Sequence, residues 1–144
     1  MGLDMYLTRE HYVKNWDWMD EDDKWTISIT GPEPIDVSKV VTISEEVYLW
    51  HKADVIHRWF VENVQDGEDN CARYYVTFEQ LQELAEGCRK VLADLDNDAL
   101  AEELGLSSVY FHRGYSQDYV EQLSETAKVL ADLPEGDYHY SSDW

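Results

Sequence analysis

Apolar and polar residues alternate in the first part of the chain, and this two-residue period predicts β-strands. The segment 2–8 places an apolar residue at every second position, which predicts a strand with one buried face. The segment 25–30 alternates in the same way and stops at Gly31, which is followed by proline. We interpret 40–43 as a third short strand. Together these segments predict a small antiparallel sheet near the N-terminus.

The period then changes to the three- and four-residue spacing of an amphipathic helix. The apolar stripe of the first predicted helix consists of Leu49, Ala53, Ile56, Phe60 and Val64. The second helix is predicted to begin after Thr77, which forms a capping-box pattern with Gln80, and to continue to about Leu95. A third long helix is predicted from about 117 to 133, and a short amphipathic segment at 99–104 precedes it.

Two further short segments read as strands, at 109–111 and at 138–140. Strands come first and helices follow, without regular alternation of strand and helix, so we predict an α+β fold. The expected architecture is a small antiparallel sheet packed against about three helices in a single domain, 1–144.

The balance of charge limits the kinds of partner that the protein can bind. The chain carries 31 acidic and 11 basic residues, and its formal net charge is −20. Nucleic acid would be repelled, because its binding depends on Lys and Arg that neutralise phosphates. A basic protein surface would be attracted. The carboxylates predicted to face such a partner are Asp20, Glu21, Asp22, Asp23, Glu79, Glu83, Glu86, Asp118, Glu121 and Glu125.

The two cysteines match no metal-binding or redox spacing. Cys88 falls on the apolar stripe of the second predicted helix, so we expect an inert core thiol. The N-terminal residues show no signal-peptide pattern, and no apolar run approaches the roughly 18 residues of a membrane span. We therefore expect a cytoplasmic protein that does not contact a membrane.

Candidate catalytic and metal-binding residues are few. The acidic segments 17–23 and 66–70 lack the spacing of a calcium-binding EF-hand, and we expect no metal or cofactor. Asp54 and His57 are three residues apart on one helix, which favours an ion pair or a buried polar network. The alternative is a small enzyme or ligand site built from Asp54, His57, Asp69 and Cys71, and the sequence leaves this open.

Several aromatic residues accompany carboxylates, a combination that is typical of protein-binding hot spots. These residues are Trp16, Trp18, Trp25, Tyr115, Tyr138, Tyr140 and Trp144. We expect a mixture, in which some rings lie in the core and others form anchors for a partner.

The opening Met1-Gly2-Leu3-Asp4-Met5-Tyr6-Leu7 resembles the start of a family of small proteins encoded by bacteriophages and bacterial genomes. The segment 50–61 is similar to the central helix of that family, and 69–71 and 140–144 also fit. The chain departs from the family pattern at 110–115. The resemblance implies a phage-type origin and assigns no activity and no catalytic residue.

Charge and resemblance together suggest a phage-type accessory protein that binds and inhibits a basic, nucleic-acid-binding host or defence protein. Such an inhibitor would be of the anti-CRISPR or anti-restriction type and would partly mimic nucleic acid. A small enzyme or ligand-binding protein is one alternative, and a structural or virion-associated protein is another. We favour a protein that is not an enzyme. The identity of the partner and the oligomeric state stay open.

Overall fold

The computed structural model describes residues 2–144 of the chain. The strands are β1 (Asp4–Tyr12), β2 (Thr42–His51), β3 (Tyr74–Val76) and β4 (Asp137–Asp143). The helices are α1 (Asp54–Asn63), α2 (Phe78–Ala93), α3 (Asp98–Glu103) and α4 (Tyr119–Ala131). The strands form one antiparallel sheet in the order β2-β1-β4-β3, which confirms the predicted α+β fold. None of the described helices is both long enough and apolar enough to cross a membrane.

The core lies between one face of the sheet and the helices. Met5 and Leu7 of β1 are fully buried, as are Tyr138 and Tyr140 of β4, and all four belong to the same apolar cluster as residues of α1, α2 and α4. The residues between them, such as Tyr6, are only partly buried. The alternation predicted for the first strand is therefore confirmed, with its buried row facing the helices.

The predicted start of α2 is confirmed. Thr77 Oγ1 accepts a hydrogen bond from the Gln80 amide at 3.0 Å, and Gln80 Oε1 accepts one from the Thr77 amide at 3.0 Å. This reciprocal pair satisfies two amides that the first turn of the helix leaves unpaired. The third long helix predicted at 117–133 is also confirmed, as α4.

The strand predicted at 25–30 is wrong, because these residues form no strand in the structure. The Asn15 side chain is instead hydrogen-bonded to the backbone of Trp25. Its Oδ1 accepts from the Trp25 amide at 2.8 Å, and its Nδ2 donates to the Trp25 carbonyl at 2.7 Å. These two hydrogen bonds engage the backbone N–H and C=O of Trp25, so the first residue of the segment cannot use them to pair with a strand.

The strand predicted at 109–111 is also wrong. Residues Ser108–Tyr110 form a single 3₁₀ turn, which begins where the Ser107 hydroxyl accepts from the Val109 amide at 3.3 Å. A run of three residues is too short to distinguish a strand from a turn by its period.

The first predicted helix begins later than its apolar stripe suggests. Leu49 belongs to β2 and pairs with Tyr6, so the strand continues to His51. The chain turns at Lys52, which has a φ of 54°, and α1 starts at Asp54. The third strand, predicted at 40–43, overlaps β2 only at residues 42–43, and β2 continues further than expected, to His51.

β1 and β2 extend beyond the rest of the sheet. The last residue of β1 that pairs with β4 is Glu10, whereas the pairing with β2 continues to Tyr12. The connection between these strands contains two 3₁₀ turns, Glu21–Asp23 and Val37–Lys39, and no helix or strand. We call residues 11–43 the arm.

Candidate protein-binding surface

His57 lies in a hydrogen-bond chain that joins α1 to β4. Its Nδ1 is 2.6 Å from the Tyr140 hydroxyl oxygen, and its Nε2 is 2.8 Å from Asp69 Oδ1. A carboxylate can only accept, so the arrangement that satisfies all three groups has Nε2–H donating to Asp69 and Tyr140 donating to Nδ1. Burial, and then the charge of Asp69, raise the pKa of Tyr140 well above its usual value. This chain is a structural link in which both ring nitrogens are engaged.

Asp54, the first residue of α1, is 9% exposed, and its carboxylate accepts five hydrogen bonds. Oδ1 accepts from the Val55 amide at 3.0 Å and from Gln122 Nε2 at 2.9 Å. Oδ2 accepts from the His112 amide at 2.8 Å, from its ring Nδ1 at 2.7 Å and from the Ser116 hydroxyl at 2.5 Å. These bonds fasten the turn at 112–116 to the start of α1 and leave the carboxylate no free position for His57.

The four residues of the alternative site, Asp54, His57, Asp69 and Cys71, do not come together. His57 and Asp69 are bonded, whereas Asp54 is bonded to the turn described above. The side chain of Cys71 is exposed, and neither nitrogen of His57 is available to take its proton. Cys88 is buried, and burial raises its thiol pKa to about 12, so a thiolate does not form there near neutral pH.

The two acidic segments considered for calcium do not assemble a cation site. Among residues 2–144, no three His, Cys, Asp or Glu side chains converge as possible ligands. In the segment 17–23, Glu21 pairs with Lys24 at 2.8 Å, and in 66–70 one oxygen of Asp69 is bonded to His57.

The ten carboxylates predicted to face a partner are divided among three places. Residues 20–23 lie on the arm, while the others lie on α2 and around the first turns of α4. Gln82 Nε2 on α2 donates to the carbonyl of Leu130 near the end of α4, at 3.1 Å. Cys88, toward the end of α2, lies close to Tyr119 at the start of α4. The two helices are therefore antiparallel, and their acidic first turns lie at opposite ends of the pair.

Several of the helix carboxylates are occupied within the molecule. Glu86 pairs with Arg89 at 2.5 Å, and Asp118 accepts from the Glu121 amide as the N-cap of α4. Glu125 is partly buried and accepts from the Tyr48 hydroxyl at 3.1 Å. Burial, and then Glu125, raise the pKa of Tyr48 to about 12. The helix faces are acidic, but they offer fewer free carboxylates than their sequence suggests.

The arm carries most of the exposed apolar surface. Nine of the sixteen large apolar side chains that are exposed lie between residues 12 and 43, and Trp18 is 80% exposed. The nine residues are Tyr12, Trp16, Trp18, Trp25, Ile29, Ile35, Val37, Val41 and Ile43. Exposed apolar side chains that are concentrated in this way mark interaction sites more often than scattered ones do.

Specific contacts hold the arm in shape. Trp25 is fixed through its backbone by Asn15 and packs edge-on against His11, with 5.7 Å between ring centroids. Lys14 Nζ lies 4.3 Å from the centroid of the Trp16 ring. A cleft of about 290 Å³ opens beside Trp25. Its lining residues are Val13, Lys14, Asn15, Trp25, Ile27, Val37, Ser38 and Val40.

The arm is also acidic. Residues 13–41 contain seven acidic and three basic residues, and one of those bases, Lys24, already pairs with Glu21. The exposed carboxylates of Asp17, Asp20, Asp22 and Asp23 form no ion pair within the described part of the chain. Apolar anchors surrounded by free carboxylates are a suitable contact surface for a basic protein.

Five of the seven aromatic candidates are exposed and two are not. Tyr138 and Tyr140 are fully buried in the core, while the exposed ones are Trp16, Trp18, Trp25, Tyr115 and Trp144. Trp144 follows Asp143, which pairs with Asp4 at the start of β1, so it lies at the end of the sheet opposite the arm. Sequence reasoning missed the aliphatic members of the arm surface: it assigned Ile29, Val41 and Ile43 to strands and made no prediction for Ile35 and Val37.

No family model, curated protein or solved structure matches this chain.

Proposed function

We propose that this chain is a phage-type acidic accessory protein that binds a basic, nucleic-acid-binding host or defence protein and inhibits it. The observation that carries the proposal is the arm, where Trp18 is 80% exposed among carboxylates that have no ion pair within residues 2–144. A large ring at the centre of a contact contributes binding energy. Unpaired charges around it orient the partner and increase the rate of association.

The net charge of −20 supports a basic partner. The 11 basic side chains offset only part of the charge of the 31 acidic ones. Four of them, Lys24, Arg58, Arg73 and Arg89, pair with neighbouring carboxylates. A surface that binds phosphates with Lys and Arg is complementary to such a field.

Inhibition follows from competition for that surface. A partner whose Lys and Arg contact the arm cannot use the same side chains to neutralise phosphates, so nucleic acid and this chain would exclude each other. The resemblance to phage-encoded proteins favours a target in bacterial defence, of the CRISPR or restriction type. In this sense the arm is a partial mimic of nucleic acid.

Two charge variants test the proposal in a matched way. The arm variant changes three carboxylates together to Asn, at Asp20, Asp22 and Asp23. The α2 variant changes three carboxylates together to Gln, at Glu79, Glu83 and Glu86. Each removes three negative charges, so both reduce the long-range attraction equally. Only the arm variant alters the proposed contact, as does Trp18→Ala.

The measurement is capture of proteins from a bacterial lysate on each immobilised variant, followed by their identification. We expect the wild type to retain a nucleic-acid-binding protein, the α2 variant to retain somewhat less of it, and the arm variant and Trp18→Ala to lose most of it. Equal retention by the α2 and arm variants would show that the arm is not the contact. Retention of proteins that bind no nucleic acid would contradict the proposed partner class.

A second candidate, a small enzyme, is favoured by one observation. Asp54 holds His112 through Nδ1, while the His112 side chain is 70% exposed, so its Nε2 is positioned to act as a base toward solvent. None of the three described clefts is lined by Asp54 or His112, so no pocket for a substrate adjoins this pair there. Loss of partner inhibition in His112→Gln, with unchanged partner binding, would favour this candidate.

A further inference from the structure

β2 is an edge strand, and its first half lies clear of the rest of the molecule. The strand order β2-β1-β4-β3 leaves the side of β2 that faces away from β1 without a strand neighbour. All residues from Thr42 to Glu46 are exposed, and within residues 2–144 they form backbone hydrogen bonds only with β1. An unpaired edge presents N–H and C=O groups to which another extended chain can bind.

The register shows which backbone groups face outward. The Val13 amide donates to the Val41 carbonyl at 2.8 Å, so these residues form a hydrogen-bonded pair of the antiparallel ladder. Such pairs recur at every second residue, so Ile43 and Glu45 also direct their backbone groups toward β1. The residues that direct N–H and C=O away from β1 are Thr42, Ser44 and Glu46.

The two faces of this edge differ in polarity. One face carries exposed Ile43 and Val41, together with Glu45, whose carboxylate lies 3.2 Å from His11 Nε2. Trp25 packs on the same His11, which is the cross-strand partner of Ile43. The other face carries Thr42, Ser44 and Glu46 and no exposed apolar residue. A strand added at this edge would therefore place one row of side chains beside Ile43 and Val41 and the alternate row on a polar face, with a carboxylate on each face.

A second copy of this chain does not suit the edge. Each copy carries a net charge of −20, and antiparallel pairing of two β2 edges would place Glu45 and Glu46 of one copy against those of the other. Like charges on neighbouring strands destabilise the pairing. A strand with Lys or Arg in its polar row would gain from the same carboxylates.

We propose that the β2 edge from Thr42 to Glu46 binds an extended segment of the partner, in which apolar residues alternate with Lys or Arg, as an additional strand of the sheet. This inference rests on the proposed function, since it specifies how the arm holds a basic partner. Main-chain hydrogen bonds supply affinity, and the alternation of side chains supplies specificity.

The test uses two peptides of about ten residues, the length of β2. Lys alternates with Val in one peptide, and Glu alternates with Val in the other. Binding to the full chain is followed by NMR shifts of the backbone amides. Ser44→Pro removes an outward N–H without breaking the ladder to β1, and proline is tolerated at such edge positions. Ser44→Ala is its matched control, because it loses the same hydroxyl and keeps the amide.

We expect the Lys–Val peptide to shift the amides of Thr42, Ser44 and Glu46 most, and the Glu–Val peptide to cause no shifts. Ser44→Pro should weaken binding of the Lys–Val peptide about tenfold or more, and Ser44→Ala less than about twofold. Shifts centred elsewhere, or equal binding by a folded Ser44→Pro and by Ser44→Ala, would overturn the inference. If Ser44→Pro does not fold, the positions of the amide shifts that the Lys–Val peptide causes in the wild type decide whether the β2 edge is the binding site.

The inference and the proposed function fail in different ways. If Ser44→Pro keeps the captured partner while the arm variant Asp20→Asn, Asp22→Asn, Asp23→Asn loses it, the edge is not used and the proposed function stands. If the Lys–Val peptide binds the edge but the wild type captures no nucleic-acid-binding protein, the edge site stands and the proposed function fails.

Discussion

Replacement of Phe60 by alanine tests how α1 packs on the sheet. Phe60 is fully buried, and its ring stacks on Tyr140 with 3.8 Å between centroids and 6° between planes. It also meets Trp50 and Trp59 edge-on, at 5.7 Å and 5.4 Å. Because the surrounding rings belong to β2, β4 and α1 itself, the cavity left by Phe60→Ala cannot close by the movement of one side chain.

Phe60→Ala should lower the free energy of unfolding by a large amount. Truncation of a buried Phe to Ala costs about 3–5 kcal/mol, and each favourable aromatic pair contributes about 0.5–1.5 kcal/mol beyond burial. Three such pairs place Phe60→Ala in the upper half of that range. For a chain of this size, each kcal/mol lowers Tm by about 2–4 °C, so we expect a decrease of about 8–20 °C.

Urea unfolding followed by tryptophan fluorescence gives the free energy of unfolding, and thermal unfolding followed by circular dichroism gives Tm. Phe60→Leu is the control, because it keeps most of the apolar volume and loses the three aromatic pairs, and we expect it to cost at least about 1.5 kcal/mol but less than Phe60→Ala. A Phe60→Ala protein that unfolds like the wild type would refute the packing described here. So would equal losses in the Ala and Leu variants.

Three further predictions concern polar side chains and thiols. Tyr140→Phe removes the hydroxyl that donates to His57 Nδ1 and leaves a buried acceptor unpaired. The free energy of unfolding should therefore fall by about 1–3 kcal/mol. An unchanged urea midpoint would contradict the hydrogen-bond chain. A thiol reagent should label Cys71 and not Cys88 in the native protein, and both after unfolding, because Cys88 is buried with a pKa raised to about 12. The Ser44 hydroxyl, and with it Arg73, lower the pKa of Glu10 below 4.5, so its stabilisation is present above that pH and is lost as the pH falls through the folded-state pKa. The difference in free energy of unfolding between wild type and Glu10→Gln should therefore shrink in acid, and a difference that grows there would contradict this assignment.

The elements that sequence reasoning predicted well are those determined by neighbouring residues. The alternation around Met5 and the capping box of Thr77 and Gln80 are local patterns, and both recur in the structure as predicted. The segment 25–30 has an equally clear alternation, but a strand forms only where another strand pairs with its backbone. The backbone of Trp25 is instead bonded to the side chain of Asn15, ten residues away, and the alternation contains no sign of that contact.

The candidate site was less predictable for the same reason. Asp54 is bonded to His112, 58 residues away, and not to His57, its neighbour on the same helix. Nothing in the local spacing distinguishes these two partners. The aromatic and acidic residues around Trp18 were recognisable in the sequence as a group. The aliphatic residues of the arm surface were not recognised, because the alternation around Ile29 and the apolar run that contains Val41 and Ile43 predicted strands.

The salt dependence of partner binding, measured together with competition by nucleic acid, tests the central claim most directly. Attraction between exposed charges is screened over about 8 Å at physiological ionic strength, so association of the captured partner should slow as salt is added. DNA or RNA should displace this chain from the partner, whereas the chain alone should retain neither nucleic acid in a gel. Binding that is unchanged both by added salt and by excess nucleic acid would contradict the account.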